Sequence, residues 1–445
     1  MQLLDNLLKK KFTAVSVLAV FTLLMLHGPQ HFTDTETYTD ASLSRSPLYP
    51  FVIDVFRFLC GNSFEYWLVA FQLILGGWAI HTFCGVVSRQ FSLPPWGFLV
   101  TLALAASPYF GLSIQTGNAI LGEGLAYPLF LFAICFLIKG LVEVSFRSIV
   151  IFVLFSVLLV LIRKQFLFLY PITLLLIGYF FFKGGGQAKT LYLLVILMVG
   201  GFSASFIEYA NNYLRHGHFV PISHSTSLLL TMAVYVSKST DTLAISDEQQ
   251  AKLFREIYSD VNQKKIILDT LDTGQNLYMN KFQHFYTNYP AIMTSISHAA
   301  DKIYLGKSST ENEGRISAAK EMTRLTLTLI QENPQRYAMM YLLNISYGLG
   351  GHGIGDGYGI RGNYFALLQL VAVLLLCAYS VQCQQKKPVA IVMFSLLLLH
   401  LANIAQVALA LPAFDRYTFY TSTVLMVYLA ALVSKGIESL VMPKS

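Results

Sequence analysis

Residues 147–183 read RSIVIFVLFSVLLVLIRKQFLFLYPITLLLIGYFFFK, two long apolar runs interrupted only by Arg163 and Lys164. A membrane span needs about 20 mainly apolar residues, or somewhat fewer when long side chains at its ends reach for water, so each run is a span and the basic pair a tight turn between them. Comparable runs recur outward from this pair, at 12–27, 65–87, 95–110, 124–140, 190–208, 363–382, 389–409 and 417–435. The third and fourth spans in chain order are short and flanked by Pro94, Pro95, Pro108 and Pro128, which suits a tilted or partly re-entrant segment. The chain is 55% hydrophobic and 12% charged with a mean hydropathy of +0.56, against roughly 25% charged residues in soluble domains. The expected fold is an all-α polytopic membrane protein of about ten transmembrane helices.

The net charge of +7 does not call for a nucleic acid, because the basic residues sit in short loops between apolar runs. With a cytoplasmic N-terminus, the inside loops hold Lys9 to Lys11, Arg89, Lys139, Arg147, Lys183, Lys189, Lys386, Lys387, Lys435 and Lys444, against only Asp5, Glu143 and Glu438. That asymmetry places both termini in the cytoplasm. Lys9-Lys10-Lys11 followed by an apolar run has the charge order of a signal peptide, but His27-Gly-Pro-Gln-His31 offers no small-residue cleavage site, so a retained signal anchor is expected. The five cysteines show no paired or metal-type spacing, and the one sequon, Asn344-Ile345-Ser346, says little about a secretory pathway. A bacterial inner membrane fits.

Three regions follow: an N-terminal transmembrane module, 1–208, whose first outside loop is 28–64; a polar extracytoplasmic loop subdomain, 209–362; and C-terminal transmembrane helices, 363–445. Within the polar region, 246–271 and 313–331 have helical periodicity with capping residues near their starts, while 227–236 is apolar but too short to span and suits an interfacial or re-entrant helix. The glycine-dense stretch 348–362 lacks the Gly-Lys-Ser/Thr ending of a nucleotide loop. It reads either as a connector or as a lid whose His352 and Arg361 close on an anionic substrate.

The candidate chemistry lies on one side of the membrane. The first outside loop carries Asp34-Thr-Glu36-Thr-Tyr38-Thr-Asp40, and desolvation at the membrane boundary can tune any of its three carboxylates toward general-base work. The plainer reading is a solvated acidic loop, against which stands the rigid, aromatic Ser44-Arg45-Ser-Pro47-Leu-Tyr49-Pro50, suited to pinning the loop on the membrane. Glu123 opens a span, where it can bond a sugar hydroxyl, orient Arg45, or simply favour a helix N-terminus. Arg163 and Lys164, and Arg416 after Asp415, can neutralise a lipid-linked phosphate, snorkel to lipid or, for Arg416, pair with Asp415.

The order of these landmarks resembles the GT-C class of polytopic glycosyltransferases: Asp34-Thr-Glu36-Thr-Tyr38 in the first outside loop, Tyr49-Pro50, Glu123 opening a span, Arg163 ending one, and Arg416-Tyr417 before the last. Asp34 and Glu36 are separated by Thr35 where the commonest form has them adjacent, so either can be the base. The resemblance implies a polyprenyl-phosphate-sugar donor, a glycan or glycolipid acceptor among membrane lipids, and inverting displacement at the anomeric carbon. Asp34 would take the acceptor proton, with Glu36 or Asp40 as substitute. Arg163, Lys164, Arg361 and Arg416 would hold the departing phosphate, and Tyr38 and Tyr49 would supply stacking surface. This chemistry requires no metal, though a carboxylate cluster on the wet face has the oxygen ligands a divalent cation takes. The competing readings are an envelope polysaccharide polymerase or ligase with a diphosphate-linked donor, and a flippase or transporter of lipid-linked saccharides. Against transport, the span interiors hold few polar groups beyond His81, His400, Asn403 and Gln406, for which helix-to-helix bonding suffices.

Overall fold

The computed structural model describes residues 24–110, 116–221, 224–271, 277–305, 310–350, 387–412 and 415–441, with positions 18, 21, 22 and 308. The helices are α1 (Thr35–Thr39), α2 (Leu48–Cys60), α3 (Phe64–Phe91), α4 (Pro95–Ala106), α5 (Gly122–Glu143), α6 (Phe146–Ile162), α7 (Leu169–Phe182), α8 (Gln187–His216), α9 (His224–Val236), α10 (Glu248–Gln263), α11 (Leu277–Tyr304), α12 (Glu311–Glu332), α13 (Pro334–Gly350), α14 (Lys387–Ala410) and α15 (Asp415–Val441). Among the described residues, extended pairing is confined to one isolated parallel bridge.

Six helical stretches among the described residues are long and apolar enough to cross a bilayer: Leu48–Phe91, Gly122–Glu143, Lys164–Phe182, Gln187–His216, Pro388–Ala410 and Arg416–Glu438. Phe146–Ile162 and Thr226–Val236 are shorter apolar helices. The outward faces carry what a bilayer selects. Leu191, Val195, Met198, Val199, Phe202 and Phe206 are all exposed along α8, an apolar stripe that water would not tolerate at this length. The protein is therefore an integral, polytopic membrane protein. The expected span at 95–110 is a twelve-residue helix, α4, that starts on Pro95 and gives way to a 3-10 turn at Ser107-Pro108. Proline at the start supplies helical geometry without a needed N–H, and Pro108 cannot continue the hydrogen-bond ladder. The expected span at 363–382 lies outside the described residues.

The chain divides into two compact units, Met1–Glu208 with Leu368–Asn403 and Arg416–Ser445, and Tyr209–Leu367 with Ile404–Asp415. In the first, α5 is the central helix: Tyr127, Phe130, Leu131 and Ile134 are fully buried, and α3 and α6 pack along it. The approach of α3 to the 3-10 turn after α4 depends on a missing side chain. A Cβ at Gly76 would fall 1.8 Å from the hydroxyl of Tyr109, which is 2% exposed and packs edge-on against Tyr127. Gly76→Ala is expected to destabilise the protein by about 1–3 kcal/mol, the usual cost of overpacking, read as an earlier thermal unfolding in detergent.

Helix α2, not resolved by the sequence reading, buries Tyr49, Pro50 and Ile53 and exposes Phe51, Val55, Phe58 and Leu59. An apolar face turned outward on a short helix beside Arg57 suits the membrane interface. It ends at Gly61, whose φ of 54° favours glycine.

In the second unit, α12 covers the helix expected at 313–331, whereas the one expected at 246–271 stops at Gln263, just before Lys265 with its φ of 56°; each starts on a side-chain cap, Asp247 accepting from the Gln250 amide at 2.9 Å and Thr310 from that of Glu313 at 3.3 Å. The apolar run at 227–236 is expected as an interfacial or re-entrant helix. It is instead the buried centre of this unit, with Leu230 and Met232 to Val236 all inaccessible and α11, α12 and α13 packed around it. Hydrophobicity on all sides marks a core helix as readily as a membrane one.

Candidate functional site: an arginine and carboxylate cluster

The first loop is tied to the segment that enters α5. The Gln30 amide donates to the Asn118 carbonyl at 2.9 Å and the Ile120 amide to the Gln30 carbonyl at 3.1 Å. Asn118 Nδ2 donates to the Gly28 carbonyl at 3.0 Å, and Thr35 Oγ1 to that of Ile120 at 3.2 Å. These bonds bring Asp34, at the start of α1, to Glu123, in the first turn of α5.

Four separate segments supply the cluster. Asp34 Oδ1 accepts from Arg45 Nη2 at 2.7 Å, and Asp34 Oδ2 from Arg416 Nη2 at 2.9 Å. Arg416 Nε also donates to Glu123 Oε1 at 2.7 Å, and Arg163 Nη1 closes on the same oxygen. Three guanidiniums thus surround two carboxylates, leaving one formal positive charge. Glu123 is fully buried, and two arginines offset a desolvation that alone would cost a carboxylate several kcal/mol. Among the described residues, its Oε2 has no hydrogen-bond partner, nor do the buried Tyr420 Oη and Gln165 Oε1.

Aromatic rings frame the charges. Arg45 lies 4.4 Å from the Tyr38 ring centroid, and Tyr38 meets Tyr49 edge-on at 5.2 Å. Arg163 and Arg416 lie 5.4 and 5.9 Å from the centroid of Tyr417. Tyr49 donates to Gln72 Oε1 at 3.0 Å, and Gln72 Nε2 reaches the Ala119 carbonyl at 3.4 Å. Gly122 and Gly124 make the room: a Cβ would lie 3.3 Å from Tyr38 Oη at the first and 2.5 Å from Gln72 Oε1 at the second.

Asp34, Tyr38, Arg45, Tyr49, Glu123, Arg163, Arg416 and Tyr417 therefore gather, whereas Glu36 and Asp40 are exposed on or beside α1 and take no part in the arginine contacts. Lys164 turns to Glu208 of α8, 2.7 Å away. His352 and Arg361 lie outside the described residues. Sequence reasoning missed Thr37, which receives Arg45 Nε at 2.7 Å, Gln165, whose Nε2 donates to the Tyr417 carbonyl at 2.5 Å, and Glu208. An acid closing an apolar run was the available signal for Glu208. His400 and Asn403 bond across to Thr421 of α15 at 2.9 and 3.0 Å, which is helix-to-helix bonding.

Burial pushes the Asp34 carboxyl up, but the guanidiniums of Arg45 and Arg416 outweigh it and hold the group below its ordinary value of 3.8. Because the folded pKa is depressed, the stabilisation from this ionised group is present above that ordinary value and is lost only as pH falls through the folded one. The docked loop is expected to persist through mild acid and to loosen below pH 3.8, measurable as the onset of amide exchange in the α1 segment.

Fold and site together define an α-helical polytopic membrane protein with a charged cluster where its spans begin and end. No family model, no curated protein and no solved structure matches the chain.

Proposed function

We propose that the protein is an integral-membrane glycosyltransferase of the GT-C type. It moves a sugar from a polyprenyl-phosphate carrier to a cell-envelope glycan or lipid-linked acceptor, on the extracytoplasmic face of a bacterial inner membrane. The observation that carries this reading is the convergence of Arg45, Arg163 and Arg416 on Asp34 and Glu123, with one cation in excess. A lipid phosphate completes that charge, and guanidiniums grip phosphate through paired donors.

In the reaction, the acceptor hydroxyl oxygen attacks the anomeric carbon while the bond from that carbon to the phosphate oxygen breaks. The hydroxyl proton passes to Asp34. The electron pair leaves with the polyprenyl phosphate, whose growing charge Arg163 and Arg416 stabilise. Glu123, buried behind them, holds Arg163 and Arg416 in place for that phosphate.

With two arginines on it, Asp34 is a weak base. An arriving phosphate competes for those arginines, and the desolvated carboxylate left behind becomes more basic. Loaded enzyme should therefore lose kcat at a higher pH than that at which free enzyme loses kcat/KM; coincident acid limbs would remove this role for the phosphate.

Binding tests the reading directly. Tritiated polyprenyl monophosphate should bind the purified protein, and Arg416→Gln should weaken it about 10- to 100-fold, the effect of losing a charge-assisted contact. Equal binding of uncharged polyprenol, or no loss in the variant, would refute it.

A further inference from the structure

A cavity of about 480 Å³ lies at the far end of α5. Val86, Arg89 and Gln90 of α3 face Ile138, Lys139 and Glu143 of α5 across it. Lys139 is roughly 24 Å along the helix from Glu123 at 1.5 Å per residue, so this is separate from the arginine cluster. The volume is that of a small-molecule site, typically about 300–1,000 Å³.

Its chemistry favours an anion. Arg89 and Lys139, one from each helix, both line the cavity. Gln90 is oriented by the buried Tyr428, whose hydroxyl donates to Gln90 Oε1 at 2.6 Å. That bond fixes the amide and leaves Nε2, inaccessible to solvent, with no partner among the described residues. A buried donor left unsatisfied is costly unless a ligand accepts from it. Glu143 is exposed at the rim, one negative charge against two positive.

We propose that this cavity binds the phosphate-bearing headgroup of an anionic membrane lipid. The phosphate oxygens accept from Arg89 and Lys139 and draw Gln90 Nε2 into the cavity as a third donor, while the acyl chains run past the exposed Val142 into the bilayer. Free phosphate shares the charge, but the apolar wall and the position at the end of two spans favour the lipid. The assignment does not depend on sugar transfer.

The test titrates the full-length protein in mild detergent with phosphatidylglycerol, phosphatidylcholine and inorganic phosphate, reading bound lipid by native mass spectrometry. Phosphatidylglycerol should bind at least about tenfold more tightly than the zwitterionic lipid. Arg89→Gln with Lys139→Gln should weaken it about 10- to 30-fold, from roughly one attractive increment per basic residue. Gln90→Leu, which keeps both charges, should weaken it about 3- to 10-fold. Lys183→Gln with Lys189→Gln, outside the cavity, should change nothing. Equal affinity for the two lipids overturns the proposal in wild-type protein alone, whether or not the variants fold. So does unchanged binding in Gln90→Leu together with the double variant. Displacement of the lipid by millimolar inorganic phosphate would make this a soluble-anion site and overturn the lipid assignment.

Discussion

Asp34→Asn is expected to lower sugar transfer by about 10²- to 10⁴-fold, the range for a lost general base, while leaving membrane insertion intact. The asparagine keeps one carbonyl oxygen for Arg45 or Arg416, so loop 28–64 retains part of its anchor, but it cannot take a proton from an acceptor hydroxyl. Glu36→Gln is the companion measurement. Glu36 is exposed and stands outside the arginine contacts, so its variant should stay within a few-fold of wild type. Full activity in Asp34→Asn, with loss in Glu36→Gln, would move the base to Glu36 and leave Asp34 as a tether for the arginines.

Arg163→Met should produce the largest loss of stability, about 3–5 kcal/mol. Glu123 is inaccessible to solvent and takes Arg163 and Arg416 on the same oxygen. Removing Arg163 leaves a desolvated carboxylate with half of its compensation. Burial is what makes this pair matter, since an exposed pair contributes only about 0–1 kcal/mol. Glu123→Gln combined with Arg163→Met should recover most of the loss, because both buried charges then go together. Thermal unfolding of the two single variants and the double in detergent measures the coupling. Additive losses would mean that the two residues do not form the buried pair.

The membrane class was legible because apolar runs such as 166–182 and 190–208 are long enough to exclude a soluble alternative. Span limits were less legible where proline intervened. The run at 95–110 looks continuous in hydropathy, yet Pro108 stops the helix that Pro95 starts. The run at 227–236 was ambiguous for a different reason. An all-round apolar helix suits lipid or a protein core equally, and only its neighbours α11, α12 and α13 decide.

The site was legible as a set of types and sides and illegible as contacts. Sidedness places Asp34, Glu123, Arg163 and Arg416 together on one face, but nothing local links Asp34 to Arg416, which are 382 positions apart. Asp415 beside Arg416 suggested a neighbour pair, whereas the arginine reaches Asp34 and Glu123. Lys164 and Arg163 look interchangeable in sequence. The backbone at the end of α6 sends Arg163 to Glu123 and Lys164 to Glu208. Gln72 and Gln165 were passed over because an amide in or beside an apolar run carries no charge pattern.

The most direct measurement is transfer of radiolabelled sugar from a panel of polyprenyl-monophosphate sugars into envelope lipids by purified protein in proteoliposomes, wild type beside Asp34→Asn. Labelled product in wild type that vanishes in the variant is the predicted result. With folded protein and several acceptors supplied, absence of transfer from every monophosphate carrier would contradict the account.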